Sequence, residues 1–341
     1  MMFSLFILFL AAALPVALYV CVAWWLDRHE REPLWLLALT FTWGAIPAAV
    51  QSLVAELIFG IPVKNLVAEA NLMMVEATLL APPIEEIFKA VPVLIVYLCW
   101  RHEFDGLMDG LLYGAMAGFG FAMTENFLYY LSALNSGGME AVGVLFFLRS
   151  VAFGFNHALY PSMFGLSLAV SRFSRTRYQE IGAACLGLLA GMTLHTIHNY
   201  LAASAGSHEE TALLYLFLAF VVYLGGCLLW FVVACIALMK ESVWIREELA
   251  EEVTSGLLTP TQAAHAWQYL PRIHARWRAL WEHGFGHFHR LGRLYALAAE
   301  LGLKKHQARL STTDAPPPQQ VAKLRTELQN LQRSLASNSP L

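Results

Sequence analysis

Seven apolar runs, each long enough to cross a lipid bilayer, limit the folds open to this chain more than any other feature of its sequence. They lie at residues 3–25, 34–59, 72–99, 107–131, 141–171, 181–204 and 211–239. A spanning helix needs about 20 apolar residues, and only helices and closed barrels satisfy their backbone in lipid. With 58% hydrophobic and 14% charged residues, the chain is too apolar for an ordinary soluble domain. The sequence predicts an all-α polytopic bundle of about seven transmembrane helices.

The bases between these runs predict how the bundle is oriented. Alternate connections contain Arg28 and Arg31, Arg101, Arg172 with Arg175 and Arg177, and Lys240 with Arg246. The other connections contain a single base, Lys64. The positive-inside rule then places the N-terminus outside and the C-terminus in the cytoplasm. Because no base precedes the first run, as a signal peptide would require, we expect that run to be a retained span.

Charge is more frequent after Lys240, which predicts a membrane domain over residues 1–240 and a cytoplasmic helical tail over 241–341. We expect tail helices at 242–255, 260–282, 286–308 and 319–336, with a Pro-rich linker near 315–318. Three histidines, His283, His287 and His289, stand among glycines and aromatic residues. This setting suits an amphipathic or membrane-skimming helix better than a metal site.

Composition also argues against two other classes of protein. The formal net charge of -3 gives no reason to expect a nucleic acid partner. The five cysteines lie in or at the edge of apolar runs and have no ligand-like spacing. Neither a disulfide framework nor a cysteine-based zinc site is therefore indicated.

Three ionisable residues, Glu85, Glu86 and Lys89, interrupt the third apolar run just after Pro82 and Pro83. An acid that persists inside a membrane usually faces a bundle interior or a wet cavity and belongs to a functional site. Proline resists helix continuation, so the helix could restart at Pro83 and place both glutamates in its first turn. The alternative is a structural ion pair between a glutamate and Lys89, for which one carboxylate would suffice.

Rows of small residues run along two other spans and end in polar groups. The fourth span has glycine at 106, 110, 114 and 118, continued by Ala122 and Asn126. In the sixth span Gly187, Gly191, His195 and Asn199 share one row, and in the fifth Arg149, Phe153 and His157 do so. Small residues let transmembrane helices approach closely. The polar groups are therefore expected on packing faces and not on lipid faces.

Depth along each helix, at about 1.5 Å per residue, predicts which polar groups can meet. Glu85, Glu86, His157 and His195 fall near the middle of the membrane. Those predicted nearer the outer leaflet are Glu125, Asn126, Arg149, His198 and Asn199. A single buried histidine is usually a satisfied core side chain, but histidines at matching depth with two glutamates indicate one functional cluster.

Several ordered motifs carry a family resemblance. They are the Asp27 to Pro33 opening, Glu85-Glu86-x-x-Lys89, Asp109-Gly110-x-x-Tyr113-Gly114, Phe121-x-x-x-Glu125-Asn126, His157 and His195-x-x-x-Asn199. Over about residues 10–235 the chain resembles the PrsW family of bacterial intramembrane proteases. It is also similar to the wider superfamily of type II CAAX prenyl proteases. It departs from the CAAX pattern at Lys89, where an arginine one position later would be expected, and at Glu125, where a histidine would stand. Both departures favour PrsW.

The PrsW resemblance implies a multi-pass protein of the bacterial inner membrane that cuts a membrane-anchored protein. The implied substrate is a regulator such as an anti-sigma factor, and the lipid bilayer is the other expected partner. No nucleic acid partner is expected, and the sequence makes no prediction of the oligomeric state.

The residue types suggest how such a cut would be made, since peptide hydrolysis needs a base for water, an acid for the leaving amine and donors for the oxyanion. Glu85 or Glu86 can serve as base and acid, and His157 can orient the water. His195 and Asn199 can stabilise the oxyanion, while Lys89 and Arg149 hold carboxylates in place. With no serine or cysteine nucleophile beside them, attack by water is simpler than an acyl enzyme. Supporting roles are expected for Lys89, Glu125, Asn126, Arg149 and His198.

No cofactor is expected, because the resemblance points to a glutamate protease. A zinc ion held by Glu86, His157 and His195 is the alternative. Two other functions use buried acids, lysines and histidines. An ion-coupled transporter would need a proton relay, but the spans show no inverted repeat. A non-catalytic membrane scaffold would have no need of an intact set of glutamates and histidines.

Overall fold

A computed structural model of the protein describes residues 2–172, 174, 176–310 and 318–337. Most of the predicted Pro-rich linker near 315–318 lies outside these residues. Within them the chain is helical and contains no strand. It forms two compact units: one consists of Met1–Leu26 and Glu32–Ala234, and the other of Asp27–Arg31 and Cys235–Leu341. We call them the membrane unit and the tail unit.

The helices follow one another along the chain with short connections. They are α1 Met2–Leu26, α2 Leu34–Trp43, α3 Ala49–Leu66, α4 Glu69–Val75, α5 Ala81–Cys99, α6 Leu107–Phe146, α7 Asn156–Ser171, α8 Arg177–Ser207, α9 Ala212–Glu248, α10 Ala250–Thr254, α11 Pro260–Trp267, α12 Tyr269–Leu310 and α13 Pro318–Ser337. Wider π-helical turns join three pairs of them, at Gly44–Ala48, Glu76–Leu80 and Phe147–Ala152.

Five stretches of the described residues are long and apolar enough to cross a membrane. They are Met2–Leu26, Leu34–Leu66, Leu107–Ser171, Arg177–Ser207 and Ala212–Thr254. The all-α polytopic bundle is thus confirmed. The five differ from the seven predicted spans for two reasons. Leu107–Ser171 has 65 residues, far more than one crossing needs, and its helix breaks at Gly138, where φ is +69°. The predicted third span contains α5, which carries three charged side chains, Glu85, Glu86 and Lys89, and is therefore not among the five apolar stretches.

The glycines of α6 bring its backbone against that of α7. A Cβ atom added at Gly118 would lie 1.7 Å from the His157 carbonyl oxygen, and one at Gly110 would lie 2.3 Å from the Gly165 carbonyl oxygen. No other residue type permits such an approach. The predicted contact row on this helix is therefore confirmed from Gly110 to Gly118. Gly106 instead precedes α6 and caps its N-terminus together with Asp109.

The glycines of α8 do the same on the other side of α7. A Cβ at Gly191 would lie 2.6 Å from the Tyr160 carbonyl oxygen, and one at Gly187 would lie 2.1 Å from Ser167 Oγ. One turn beyond Gly191, the side chain of His195 is 2% exposed. The contact between α7 and α8 thus fixes the height at which the two site histidines, His157 and His195, can meet.

The start of α5 differs from the sequence expectation. The helix begins at Ala81, directly after the π-helical turn, so Glu85 and Glu86 lie beyond its first turn. In that turn the Ala81 amide donates to the Glu76 carbonyl, five residues back, which leaves the Ala77 carbonyl without its α-helical partner. Pro82 has no N–H to give to the Thr78 carbonyl. Two backbone acceptors are therefore free just before the glutamates.

Candidate active site

Lys89 lies at the centre of the buried polar cluster in the membrane unit. Its side chain is fully buried, and its ammonium donates to Glu85 Oε2 at 2.9 Å and to Glu86 Oε1 at 2.8 Å. The ammonium also stands 3.9 Å from the centre of the Phe121 ring. A buried charge is tolerated only when paired and hydrogen-bonded. One lysine thus holds both glutamates of α5.

His195 reaches the same carboxylates from α8. Its Nδ1 atom is 2.9 Å from Glu86 Oε1, and its Nε2 atom is 3.9 Å from Glu85 Oε2. A carboxylate beside one ring nitrogen keeps the proton on that nitrogen. In this tautomer Nδ1 donates to Glu86, and the lone pair of Nε2 faces Glu85.

His157 enters from the first turn of α7, after the π-helical turn and loop that follow α6. Its Nε2 atom is 2.8 Å from Glu125 Oε2, and its Nδ1 atom is 3.3 Å from Lys89 Nζ. The two histidine rings lie 5.4 Å apart, centre to centre. By the same reasoning, His157 donates to Glu125 and turns its other nitrogen toward the cluster.

Arg149 anchors the far side of this arrangement. Its Nη2 atom donates to Glu125 Oε2 at 2.6 Å, and its Nε atom donates to Asn126 Oδ1 at 2.8 Å. Glu125 Oε2 therefore receives both Arg149 and His157. The guanidinium also lies 3.9 Å from the centre of the Tyr129 ring. This network fixes the orientation of His157 from α6.

Two residues predicted for the site have other contacts. Asn199 Nδ2 donates to the Ala77 carbonyl at 2.9 Å. The ring of His198 packs edge-on against Phe153 at 4.9 Å, and its buried Nδ1 has no hydrogen-bond partner among the described residues. The other eight form the connected network: Glu85, Glu86, Lys89, Glu125, Asn126, Arg149, His157 and His195.

Asn199 acts together with a residue that the sequence did not single out, Thr196. The Thr196 hydroxyl donates to the Thr78 carbonyl at 3.0 Å. Asn199 and Thr196 therefore satisfy the two acceptors that the π-helical turn and Pro82 leave free. Leaving such groups unpaired in a membrane would cost a few kcal/mol each. This pair of bonds ties α8 to the start of α5 and holds His195 level with Glu86.

Tyr160 is the other contributor that the sequence analysis missed. Its ring stacks on His195 with centres 4.6 Å apart and planes 16° apart. The hydroxyl is buried and has no hydrogen-bond partner within the described part of the chain, and the same holds for Glu86 Oε2. Buried polar atoms without a partner are rare and invite water or substrate. The sequence signal that could have identified Tyr160 is its position three residues after His157, on the same face of the helix.

The cluster also contains donor atoms that suit a metal ion. One atom each from Glu85, His157 and His195 lie within 4.8 Å of one another, and the described residues contain no other such group. The carboxylate in this set is Glu85, whereas Glu86 braces His195 and Glu125 braces His157. Carboxylates commonly brace metal-binding histidines in this way, so the donor set fits zinc. Lys89 Nζ, however, is bonded to Glu85 and His157, and it would have to withdraw.

Comparison with known proteins gives a consistent result. Residues 32–226 match the family described as PrsW family intramembrane metalloprotease. The chain is 28% identical over 193 residues to Protease PrsW of Oceanobacillus iheyensis, covering 56% of this chain and 81% of that protein. It is 24% identical over 197 residues to Protease PrsW of Clostridioides difficile, covering 57% and 78%. No solved structure matches the chain.

Proposed function

Because this chain belongs to the PrsW family of intramembrane proteases, we propose that it cuts a membrane-anchored protein with a water molecule activated by a glutamate. The chain is a multi-pass membrane protein and a peptidase. The observation that carries the mechanism is the meeting of two glutamates, a lysine and two histidines from α5, α7 and α8 around buried, unpartnered oxygen atoms. An ion pair that served only to neutralise charge would need none of the histidines.

We assign the general base to Glu85. Its side chain is 8% exposed, compared with 1% for Glu86, whose Oε1 atom is already engaged by Lys89 and His195. Glu85 takes a proton from water as the water oxygen bonds to the scissile carbonyl carbon. When the C–N bond breaks, Glu85 returns that proton to the leaving amine. Glu86 positions Lys89 and His195 and does not itself exchange a proton.

His195 orients the water in this scheme, because its Nε2 atom presents a lone pair once Nδ1 donates to Glu86. For His195 this replaces the oxyanion role expected from the sequence. His157 acts as a positioning residue, since its Nδ1 atom accepts from Lys89 and its Nε2 atom donates to Glu125.

The oxyanion needs a donor, and the buried hydroxyl of Tyr160, beside His195, is free to provide it. Asn199 is a positioning residue, since its amide binds the Ala77 carbonyl.

A zinc-dependent protease is the second candidate, favoured by the donor set of Glu85, His157 and His195. Zinc bound there would polarise the carbonyl and acidify its water. We rank it second because Lys89 already supplies a cation to two members of that set. We expect purified protein in lipid to keep its activity in a strong chelator. Loss of activity on chelation, with recovery on adding zinc alone, would establish the metal mechanism.

The substrate class follows from the family and the position of the chemistry. We propose a single-span membrane protein, such as an anti-sigma factor, in the bacterial inner membrane. The predicted orientation and the depth of the cluster favour a cut at or just outside the substrate's outer membrane boundary.

Co-expression with candidate single-span proteins, comparing the intact chain with Glu85→Gln, tests whether cleavage occurs. Mass spectrometry of the product ends then locates the cut. A cut on the cytoplasmic side would contradict the proposed location. Flux of an ion without cleavage would indicate a transporter.

A further inference from the structure

The first half of α12, in the tail unit, exposes large aromatic side chains to solvent. Trp281 is 83% exposed, Phe285 is 67% exposed and Trp277 is 51% exposed. Trp277 and Trp281 are four residues apart on one face of a helix, and Phe285 follows directly after the break at Gly284, where φ is +78°. We call the segment from Tyr269 to Arg293 the aromatic-basic segment.

These aromatic residues are not part of the tail unit's core. The second half of α12 supplies that core through Leu294, Ala298 and Leu301, each 0% exposed. Around Trp281, in contrast, all residues from 281 to 286 are exposed. An exposed aromatic patch next to a well-packed core marks an interaction surface.

The charge of the segment indicates what kind of partner it fits. Its arginines are Arg272, Arg276, Arg278, Arg290 and Arg293, against a single acid, Glu282. The whole chain has a formal net charge of -3, so this excess of positive charge is local. Arg278 is exposed, and Arg276 lies 4.3 Å from the centre of the Phe288 ring. Tryptophan and arginine together are typical of helices that lie at a membrane surface.

We propose that the aromatic-basic segment binds the anionic headgroups of the cytoplasmic leaflet and lies on the bilayer surface. Chain connectivity supports this partner, because about 20 residues separate the end of the membrane-crossing helix α9 from Tyr269. The bilayer is therefore always within reach. Anionic lipids attract basic segments over about a Debye length, and the tryptophans insert at headgroup depth. The inference is independent of the proposed catalytic mechanism.

Hydroxyl-radical footprinting of the full chain in nanodiscs tests the proposal. Oxidation of Trp277, Trp281 and Phe285 is measured by mass spectrometry in phosphatidylcholine alone and in discs that also contain phosphatidylglycerol. We expect oxidation of Trp281 and Phe285 to fall about threefold or more in the anionic discs, and to recover in high salt. Equal oxidation in both lipids overturns the proposal. This holds if the residues are accessible in both kinds of disc, and also if they are covered in both, for example by a second copy of the chain.

A charge variant and its matched control separate this effect from a general change in fold. Arg278→Glu removes an exposed cation within the segment, and Arg333→Glu removes an exposed cation on α13. Arg278→Glu should abolish most of the lipid-dependent protection of Trp281, whereas Arg333→Glu should preserve it. Equal protection in the two variants contradicts the proposal. Because the lipid comparison on the unmodified chain stands alone, misfolding of either variant leaves the test decisive.

Discussion

The two units each contain a buried glutamate bonded to lysine, Glu252 and Glu86, yet the two carboxylates differ in how completely they are satisfied. In the tail unit Glu252 is 2% exposed, and both of its carboxylate oxygens accept hydrogen bonds from Lys305 or Arg325. In the membrane unit Glu86 is 1% exposed, but only Oε1 is bonded, and Oε2 has no partner in the described part of the chain.

Their surroundings differ as well. Of the two cations that satisfy Glu252, Arg325 extends toward solvent, and its side chain is 37% exposed. The cations and histidines around Glu86 are enclosed, and Lys89 is 0% exposed. A carboxylate with both oxygens bonded stabilises a fold, whereas a carboxylate with an unpartnered oxygen beside a histidine has capacity left for water and substrate. Burial of charge alone would not distinguish the two units.

The largest expected effect comes from removing one carboxylate charge in each cluster. Glu85→Gln should reduce peptide cleavage by at least about a thousandfold, since the amide cannot take a proton from water. The matched variant, Glu252→Gln, should leave cleavage within about twofold of the intact chain while lowering the stability of the tail unit. Initial rates on a single-span substrate in lipid, together with thermal unfolding, measure both.

Correct insertion of Glu85→Gln is the control, because α5 also depends on the bond between Lys89 and Glu85. If the inserted variant kept full activity, Glu85 would not be the base. If Glu252→Gln abolished cleavage without unfolding the tail unit, the division between a stabilising and a catalytic cluster would be wrong.

A smaller loss should follow from removing a single hydroxyl in the membrane unit. Tyr160→Phe keeps the ring that stacks on His195 and deletes only the unpartnered Oη atom. Loss of one oxyanion donor lowers kcat by about 100-fold in other enzymes. We expect a decrease of this order in kcat with little change in KM. A change confined to KM would assign Tyr160 to substrate binding instead.

The sequence located most of this arrangement because its signals are local. Charges in an apolar run drew attention to Glu85, Glu86 and Lys89. The glycine row of α6 predicted the close approach of another helix, and the structure shows that this helix is α7. Counting along the helices brought His157 and His195 to one depth, and their rings lie 5.4 Å apart. These inferences needed only helix periodicity and the cost of charge in lipid.

What the sequence missed depends on contacts between distant residues. The stacking of Tyr160 on His195 follows from the register of α7 on α8, and the role of Asn199 follows from a π-helical turn 122 residues away. In the tail, the separation expected between residues 282 and 286 is confirmed by the break at Gly284, but the single helix expected at 260–282 is interrupted at Gln268, between α11 and α12.

The tail unit also has a histidine beside a glutamate, and the stability of this unit should depend on pH. In the tail unit His29 Nδ1 lies 2.9 Å from Glu241 Oε2. Burial, with nearby Arg272 and Arg28, lowers the pKa of His29 to about 4 from its usual value of 6.5. Between these values the unfolded chain binds the proton and the folded chain does not, so stability falls as pH decreases. From pH 7 to pH 5 we expect a loss of about 2 kcal/mol.

Hydrogen exchange across residues 245–303 at several pH values measures this loss in the full chain. His29→Gln retains a polar side chain but does not titrate, so its stability should depend less on pH over the same range. The same slope in both proteins would assign the pH dependence to other groups.

The smallest effect should come from the bond between Thr196 and the Thr78 carbonyl, which ties α8 to the turn before α5. Thr196→Val preserves shape and removes the donor, leaving unpaired the acceptor that Pro82 cannot satisfy. The expected cost is about 1–3 kcal/mol of stability and a severalfold loss of cleavage as His195 loses its alignment with Glu86. Thr193→Val on the same helix is the matched control, because the Thr193 hydroxyl is exposed and binds only the Leu189 carbonyl within α8. Thermal unfolding and initial rates in lipid should change for Thr196→Val and not for Thr193→Val. Equal behaviour of the two variants would mean that the tie between α8 and α5 does not set the geometry of the catalytic cluster.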